Sequence, residues 1–173
     1  MDSGDFTAFF RDVQPALVRY VTRMSDPDTA QDVVSDTMAT MWGKDLPAPT
    51  TEIEWRQTRS LAYRVAEGHL RNRRRGDRRR DALAQKIRLT TTPESAVEPD
   101  LADGVFTGGE ALDRLAALRP TDRDVIALVV DGFSLAEIAA ILDCSVAAVK
   151  MRALRARKNL RTVLGREVHH VDE

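Results

Sequence analysis

Residues 134–157 read SLAEIAAILDCSVAAVKMRALRAR. Leu135, Ile138, Ala139, Ile141 and Leu142 recur at three- and four-residue spacing, and so do Val146, Val149, Ala153 and Ala156. That is the period of a helix with one buried face. Asp143-Cys144-Ser145 interrupts it, which predicts a helix, a three-residue turn and a second helix. Packing fixes the crossing: Ile138, Ile141 and Leu142 must meet Val146 and Val149, and Ala139 must be small where the helices approach. The second helix then points Ala147, Ala148, Lys150, Met151, Arg152, Leu154 and Arg155 outward. An α-helix fits the major groove of B-DNA, and its N-terminal half reaches the base edges. Arg157, Lys158 and Arg161 lie further along, where backbone contact is the better geometry. Ser145, at the helix start, can offer its hydroxyl and N–H to a phosphate. A plain αα-hairpin has the same apolar spacing. What favours DNA is charge: residues 146–164 hold six cations and no acid.

The rest of the chain repeats that segregation. Its 173 residues carry a formal charge of only -1. Residues 1–54 hold 4 basic and 10 acidic groups, residues 55–88 hold 12 and 3, residues 89–118 hold 1 and 6, and residues 119–173 hold 9 and 8. Two cationic elements are therefore separated by an anionic spacer. Each can contact a polyanion, because neutralised phosphates release counterions.

The N-terminal half reads as three helices. Phe6, Phe9, Phe10, Val13, Leu17, Tyr20, Val21 and Met24 form the first stripe, with Pro15 inside it as a candidate kink. Ser25-Asp26-Pro27-Asp28 starts a second helix, whose stripe is Ala30, Val33, Val34, Thr37, Met38 and Met41. A third begins near Thr51–Glu54, carries Trp55, Leu61, Ala62, Val65, Ala66, His69 and Leu70 on one side, and runs into RNRRRGDRRR at residues 71–80. Residues 89–110 lose all period and read as an acidic flexible linker. Beyond it come a short helix ending before Arg119-Pro120, a helix capped by Thr121 and stopped at Gly132, and the helix-turn-helix. No stretch alternates like a strand. The expected fold is all-α: two small helical domains, 1–88 and 111–167, joined by the linker 89–110 and followed by a tail at 168–173.

Several classes drop out. No apolar run is long enough to cross a bilayer, so membrane insertion is not expected. The segment MDSGDFTAFF lacks the basic start of a secretory signal, and a cytoplasmic location follows as an expectation. Cys144 is the single cysteine, and the histidines are His69, His169 and His170. They make no convincing metal cluster, and His169 and His170 sit near a chain end. Paired carboxylates, a nucleophile elbow and a phosphate-binding glycine loop are all missing, so no catalytic residue, no cofactor and no enzyme activity is expected.

With these parts in order, the chain resembles a bacterial RNA polymerase sigma factor of the extracytoplasmic-function group of the sigma-70 family. LAALRPTDRDVIALVVDGFSLAEIAAILDCSVAAVKMRALRARKNLRTVL is similar to the family's region 4, including Glu137-Ile138-Ala139, Val149-Lys150 and Arg155-Ala156-Arg157. AQDVVSDTMATMW resembles region 2.2, and LAYRVAEGHLRNRRR resembles regions 2.3 and 2.4.

The resemblance implies a division of labour. Asp32, Val33, Ser35 and Asp36 would dock on core RNA polymerase. Lys44, Leu46, Thr50 and Thr51, in the loop before the third helix, would border an unstacked base of the -10 element. Arg56, Arg59, His69, Arg71, Asn72, Arg73, Arg74 and Arg75 would follow promoter DNA there. Ser145, Ala147, Ala148, Lys150, Met151, Arg152, Arg155 and Lys158 would hold the -35 duplex. Core polymerase and promoter DNA are the implied partners, with an anti-sigma factor as a third that the family allows. The location would be cytoplasmic and nucleoid-associated. The alternative is a helix-turn-helix transcriptional regulator that never binds polymerase.

Overall fold

The computed structural model describes residues 1–91, 115 and 117–168, with side chains for 1–85, 115 and 117–161. Among the described residues the secondary structure is helical, with no strand. The helices are α1 (Ser3–Thr22), α2 (Pro27–Trp42), α3 (Glu52–Thr91), α4 (Pro120–Val130), α5 (Leu135–Leu142) and α6 (Val146–Val168). Helices α1–α3 form one half and α4–α6 the other.

The starts are capped as the sequence requires. Asp2 accepts from Asp5 N–H at α1, and Asp26 from Thr29 N–H at α2, where Pro27 occupies the first turn. At α3 the Thr51 hydroxyl accepts from Glu54 N–H, while the Glu54 carboxylate accepts from the N–H groups of Thr50 and Thr51. Ser134 and Glu137 form a reciprocal capping box at α5. Gly132 takes a φ of 84° after α4, a left-handed turn that suits glycine. Asp143 ends α5 in the same left-handed region, at φ 53°.

Three boundaries differ from the expectation. Pro15 lies inside an unbroken α1. It sits on the exposed side with Arg11, whose carbonyl can bond to water instead of a missing N–H. Helix α4 begins at Pro120 rather than after Thr121, because a proline tolerates the first helical position well. Helix α3 runs to Thr91, past the start of the expected linker at 89. The remainder of that linker, most of the short helix before Arg119, and His169 and His170 lie outside the described residues.

The apolar stripes make the core. Phe9, Val13, Leu17, Tyr20 and Val21 of α1 meet Ala30, Val33, Val34, Met38 and Met41 of α2 and Ala62, Tyr63, Ala66 and Leu70 of α3, all buried. In the second half, Val125, Ala127 and Leu128 pack with Ile138, Ala139, Ile141, Val149 and Ala153. These two sets are continuous. Phe133, in the α4–α5 turn, stacks edge-on against Tyr63 of α3 at 4.7 Å, and Tyr63 stacks on Tyr20 at 5.1 Å. The halves therefore share one buried seam, with α5 and its preceding turn lying on α3.

Candidate nucleic-acid interface

The helix-turn-helix has the expected internal geometry. Ile138 and Val149 are fully buried and Ala139 nearly so, which sets α6 against α5. Cys144 N–H donates to Ala139 O at 3.0 Å, closing the turn. The Ser145 hydroxyl accepts from Ala148 N–H at 3.1 Å and so caps α6. On the outer side, Ala147, Lys150, Met151, Leu154, Arg157, Lys158 and Arg161 are exposed, and Ala148 is half-buried. Leu154, Arg157, Lys158 and Arg161 line an open groove along α6.

Two cations of the expected reading surface are engaged inside the protein. Arg155 forms a two-pronged ion pair with Asp122 of α4, Nε to Oδ2 at 2.7 Å and Nη2 to Oδ1 at 2.5 Å. Asp122 is fully buried, so its carboxylate relies on that fork. The bond and the charge of Asp122 raise the Arg155 pKa further above its usual value. Arg152 is half-buried and donates to Cys144 Sγ at 3.7 Å.

The N-terminal candidates separate into three groups. Asp32, Ser35 and Asp36 are exposed on α2. Val33 faces the other way, fully buried against α1 and α3, so it supports that face rather than forming it. Arg73 of α3 reaches across to Asp32 at 3.2 Å and Asp36 at 3.5 Å, which joins the acidic face of α2 to the basic helix. In the loop before α3, Lys44 is exposed, and the Leu46 carbonyl accepts from the Met1 amino group. Thr50 and Thr51 are taken up in capping: both Thr50 N–H and its hydroxyl donate to Glu54 at 2.8 Å. Those bonds, with the Thr50 backbone contribution largest, hold the Glu54 carboxyl below its usual range.

Along α3, Asn72 and Arg75 are exposed and Arg71 is half-buried. His69 turns toward α2, its Nε2 3.2 Å from the Thr40 hydroxyl. Arg74 lies 3.8 Å from Asp124 of α4. The first turns of α3 meet the second half. Arg56 makes a fork with Glu137 at 3.0–3.2 Å. Arg59 donates to the Asp131 carbonyl at 2.8 Å, and its guanidinium sits 4.4 Å from the Phe133 ring centre. The same group lies 5.4 Å from Tyr63 and 5.8 Å from Trp55. The Asp131 carboxylate accepts from Arg23 and from the Tyr63 hydroxyl, both at 2.9 Å. An acidic and aromatic turn thus covers the basic start of α3.

Electrostatics mark the same seam. Burial works to raise Glu137, but the Arg56 fork and the Ser134 cap outweigh it and push the carboxyl down to about 2. Tyr63 is raised by burial and then by Asp131. Deeper in, the Tyr20 hydroxyl donates to Glu67 at 2.6 Å, and both residues are buried. Burial, followed by the negative charge of Glu67, raises Tyr20 well above its usual value.

Sequence reasoning missed the acceptors at this seam, Glu67, Asp124, Asp131 and the acidic side of Glu137, and Asp122 within the second half. It also left out Tyr63 and Phe133. The available signal was acids at otherwise apolar helical positions, since a carboxylate in a buried stripe needs a partner. Among the described residues no cluster of His, Cys, Asp or Glu fits a metal ion, and no helix is long and apolar enough to cross a membrane.

A helical helix-turn-helix protein with a second three-helix half is the class defined by this architecture. Comparison with known proteins narrows it. Residues 109–160 match the family model for sigma-70, region 4. The sigma factor RpoE from Bartonella quintana, solved in complex with the anti-sigma factor NepR, is 25% identical, with a TM-score of 0.65 over 93% of this chain and 97% of that one. CnrH, solved in complex with the cytosolic domain of CnrY, shares the fold at 24% identity, with a TM-score of 0.60 over 92% of this chain and 87% of that one. No curated protein matches by sequence. Residues 109–160 thus carry a sigma-70 region 4 segment, and the comparisons support the resemblance of the chain to sigma factors of the extracytoplasmic-function group.

Proposed function

We propose that this chain is a sigma factor that directs core RNA polymerase to specific promoters and aids strand opening at the -10 element. The carrying observation is the region 4 match over 109–160 on a helix-turn-helix whose outer face leaves Lys150, Met151 and Arg157 exposed. Residues 1–88 act as the polymerase and -10 module, 89–110 as a tether, and 111–167 as the -35 module. Tethering raises the effective concentration of each module at its own element. The protein performs no chemistry of its own, and polymerase carries out phosphoryl transfer.

Asp32, Ser35 and Asp36 meet polymerase by charge complementarity. Arg73 must release Asp32 and Asp36 for that contact. Arg56 and Arg59 reach DNA once the α4–α5 turn has left α3. Arg71, Asn72 and Arg75 offer DNA a surface in either arrangement. RpoE was solved with the anti-sigma factor NepR, which supports an anti-sigma factor as a partner here. The protein itself acts in the cytoplasm, at the nucleoid.

The test is run-off transcription with purified core polymerase and the full chain on a genomic template library, alongside pull-down of core polymerase. Promoter-specific transcripts and a stable complex are expected. DNA binding without polymerase association would make the protein an ordinary helix-turn-helix regulator.

A further inference from the structure

Asp124 occupies an unusual position. It stands on α4 at the seam between the halves, 7% exposed, and its Oδ1 has no hydrogen-bond partner. Its surroundings come from four elements. From α3, Glu67 contributes a second buried carboxylate, and Arg74 approaches to 3.8 Å without closing a hydrogen bond. Tyr20 of α1 stands behind Glu67 and donates to it. Arg123 of α4 and Arg152 of α6 add positive charge. Each half thus contributes a buried carboxylate, and the charge of Glu67 acts on Asp124 across the seam. Separation would return Asp124 to water.

We propose that the seam is a proton-coupled latch, in which Asp124 gains a proton as the halves close and gives it up as they part. Burial, then the charge of Glu67, raises the Asp124 carboxyl to about 7, against the pull of Arg74, Arg123 and Arg152. A group raised in the closed form binds protons more tightly there. Its contribution to closure is fully present below the ordinary carboxylate range, near pH 4, and is lost as pH rises through about 7. Within that window one linked proton changes the closed-to-open ratio by up to about tenfold per pH unit. The latch would keep the start of α3 covered in acidic conditions and free it toward neutrality.

The experiment uses the full chain without polymerase or DNA, so its result does not depend on the proposed function. Carboxyl-carbon NMR follows Asp124, and small-angle X-ray scattering follows the radius of gyration from pH 4.5 to 8. The expected result is an Asp124 midpoint near neutral and a radius that grows as it deprotonates. Asp124→Asn should stay compact across the range, since the amide keeps the shape and never charges. Glu67→Gln, which can still accept from Tyr20, should move both the midpoint and the expansion to lower pH; it serves equally if Asp124→Asn fails to fold. An ordinary Asp124 midpoint overturns the latch. So does a neutral midpoint with an unchanged radius, or a variant whose expansion tracks the unmodified chain.

Discussion

Arg155 and Lys150 look alike in the sequence, two cations on one outward face, yet their surroundings give them different duties. Lys150 is exposed, whereas Arg155 holds the buried Asp122 by a two-pronged bond. Removing Arg155 takes the partner from a buried carboxylate, a loss of stability as well as of charge. Lys150→Ala should weaken binding to a -35 duplex by about 1–3 kcal/mol if it reads a base, and leave the thermal midpoint unchanged. Arg155→Ala should lower the midpoint measurably, and any loss of DNA affinity will accompany that fall. Parallel melting curves and duplex titrations on the two variants check the distinction. Equal midpoints would mean that the Asp122 fork contributes nothing to folding.

Helix ends obey local chemistry, and so they were readable. Asp26-Pro27, Thr51 with Glu54, and Ser134 with Glu137 each cap a helix where the sequence placed a start. Ser134→Ala removes the hydroxyl half of the α5 box and should cost about 1 kcal/mol in urea denaturation. The effect should persist at high salt, because the cap is a hydrogen bond and not a screened ion pair. Apolar stripes were legible for the same reason: Phe9, Val13 and Leu17, or Ile138, Ile141 and Val149, need only a period to declare their face. The exposed face of α6 could be read because packing positions leave only the others. Pro15 and Pro120 show the limit of that local reading, since exposure and register decide whether a proline breaks a helix or begins one. What could not be read is pairing between distant elements. Nothing in the run from Asp122 to Asp131 states that its acids will find Arg155, Arg74, Arg23 and Tyr63. The Arg155 partner is set by the packing of α6 on α4, and the other three by the docking of one half on the other.

That docking rests on few groups, and Asp131 is its hub. Its carboxylate accepts from Arg23 and Tyr63, and its carbonyl accepts from Arg59. Asp131→Ala removes two charge-assisted bonds worth about 1.5–3 kcal/mol each. It should shift the closed-to-open equilibrium toward open by roughly a hundredfold to ten-thousandfold, visible as a larger radius of gyration at unchanged helix content. A compact Asp131→Ala chain would mean that the remaining contacts, Phe133 on Tyr63 and the Arg56–Glu137 fork among them, suffice without it. The sequence has only two tryptophans, Trp42 and Trp55. Trp42 rests against Phe6 within the first half, while Trp55 lies beside the Arg59 guanidinium that the α4–α5 turn pins in place. The protein therefore carries its own optical gauge. In a Trp42→Phe background the remaining indole should report the parting of the halves as a change in emission colour, with no dye attached and in the time of a mixing experiment.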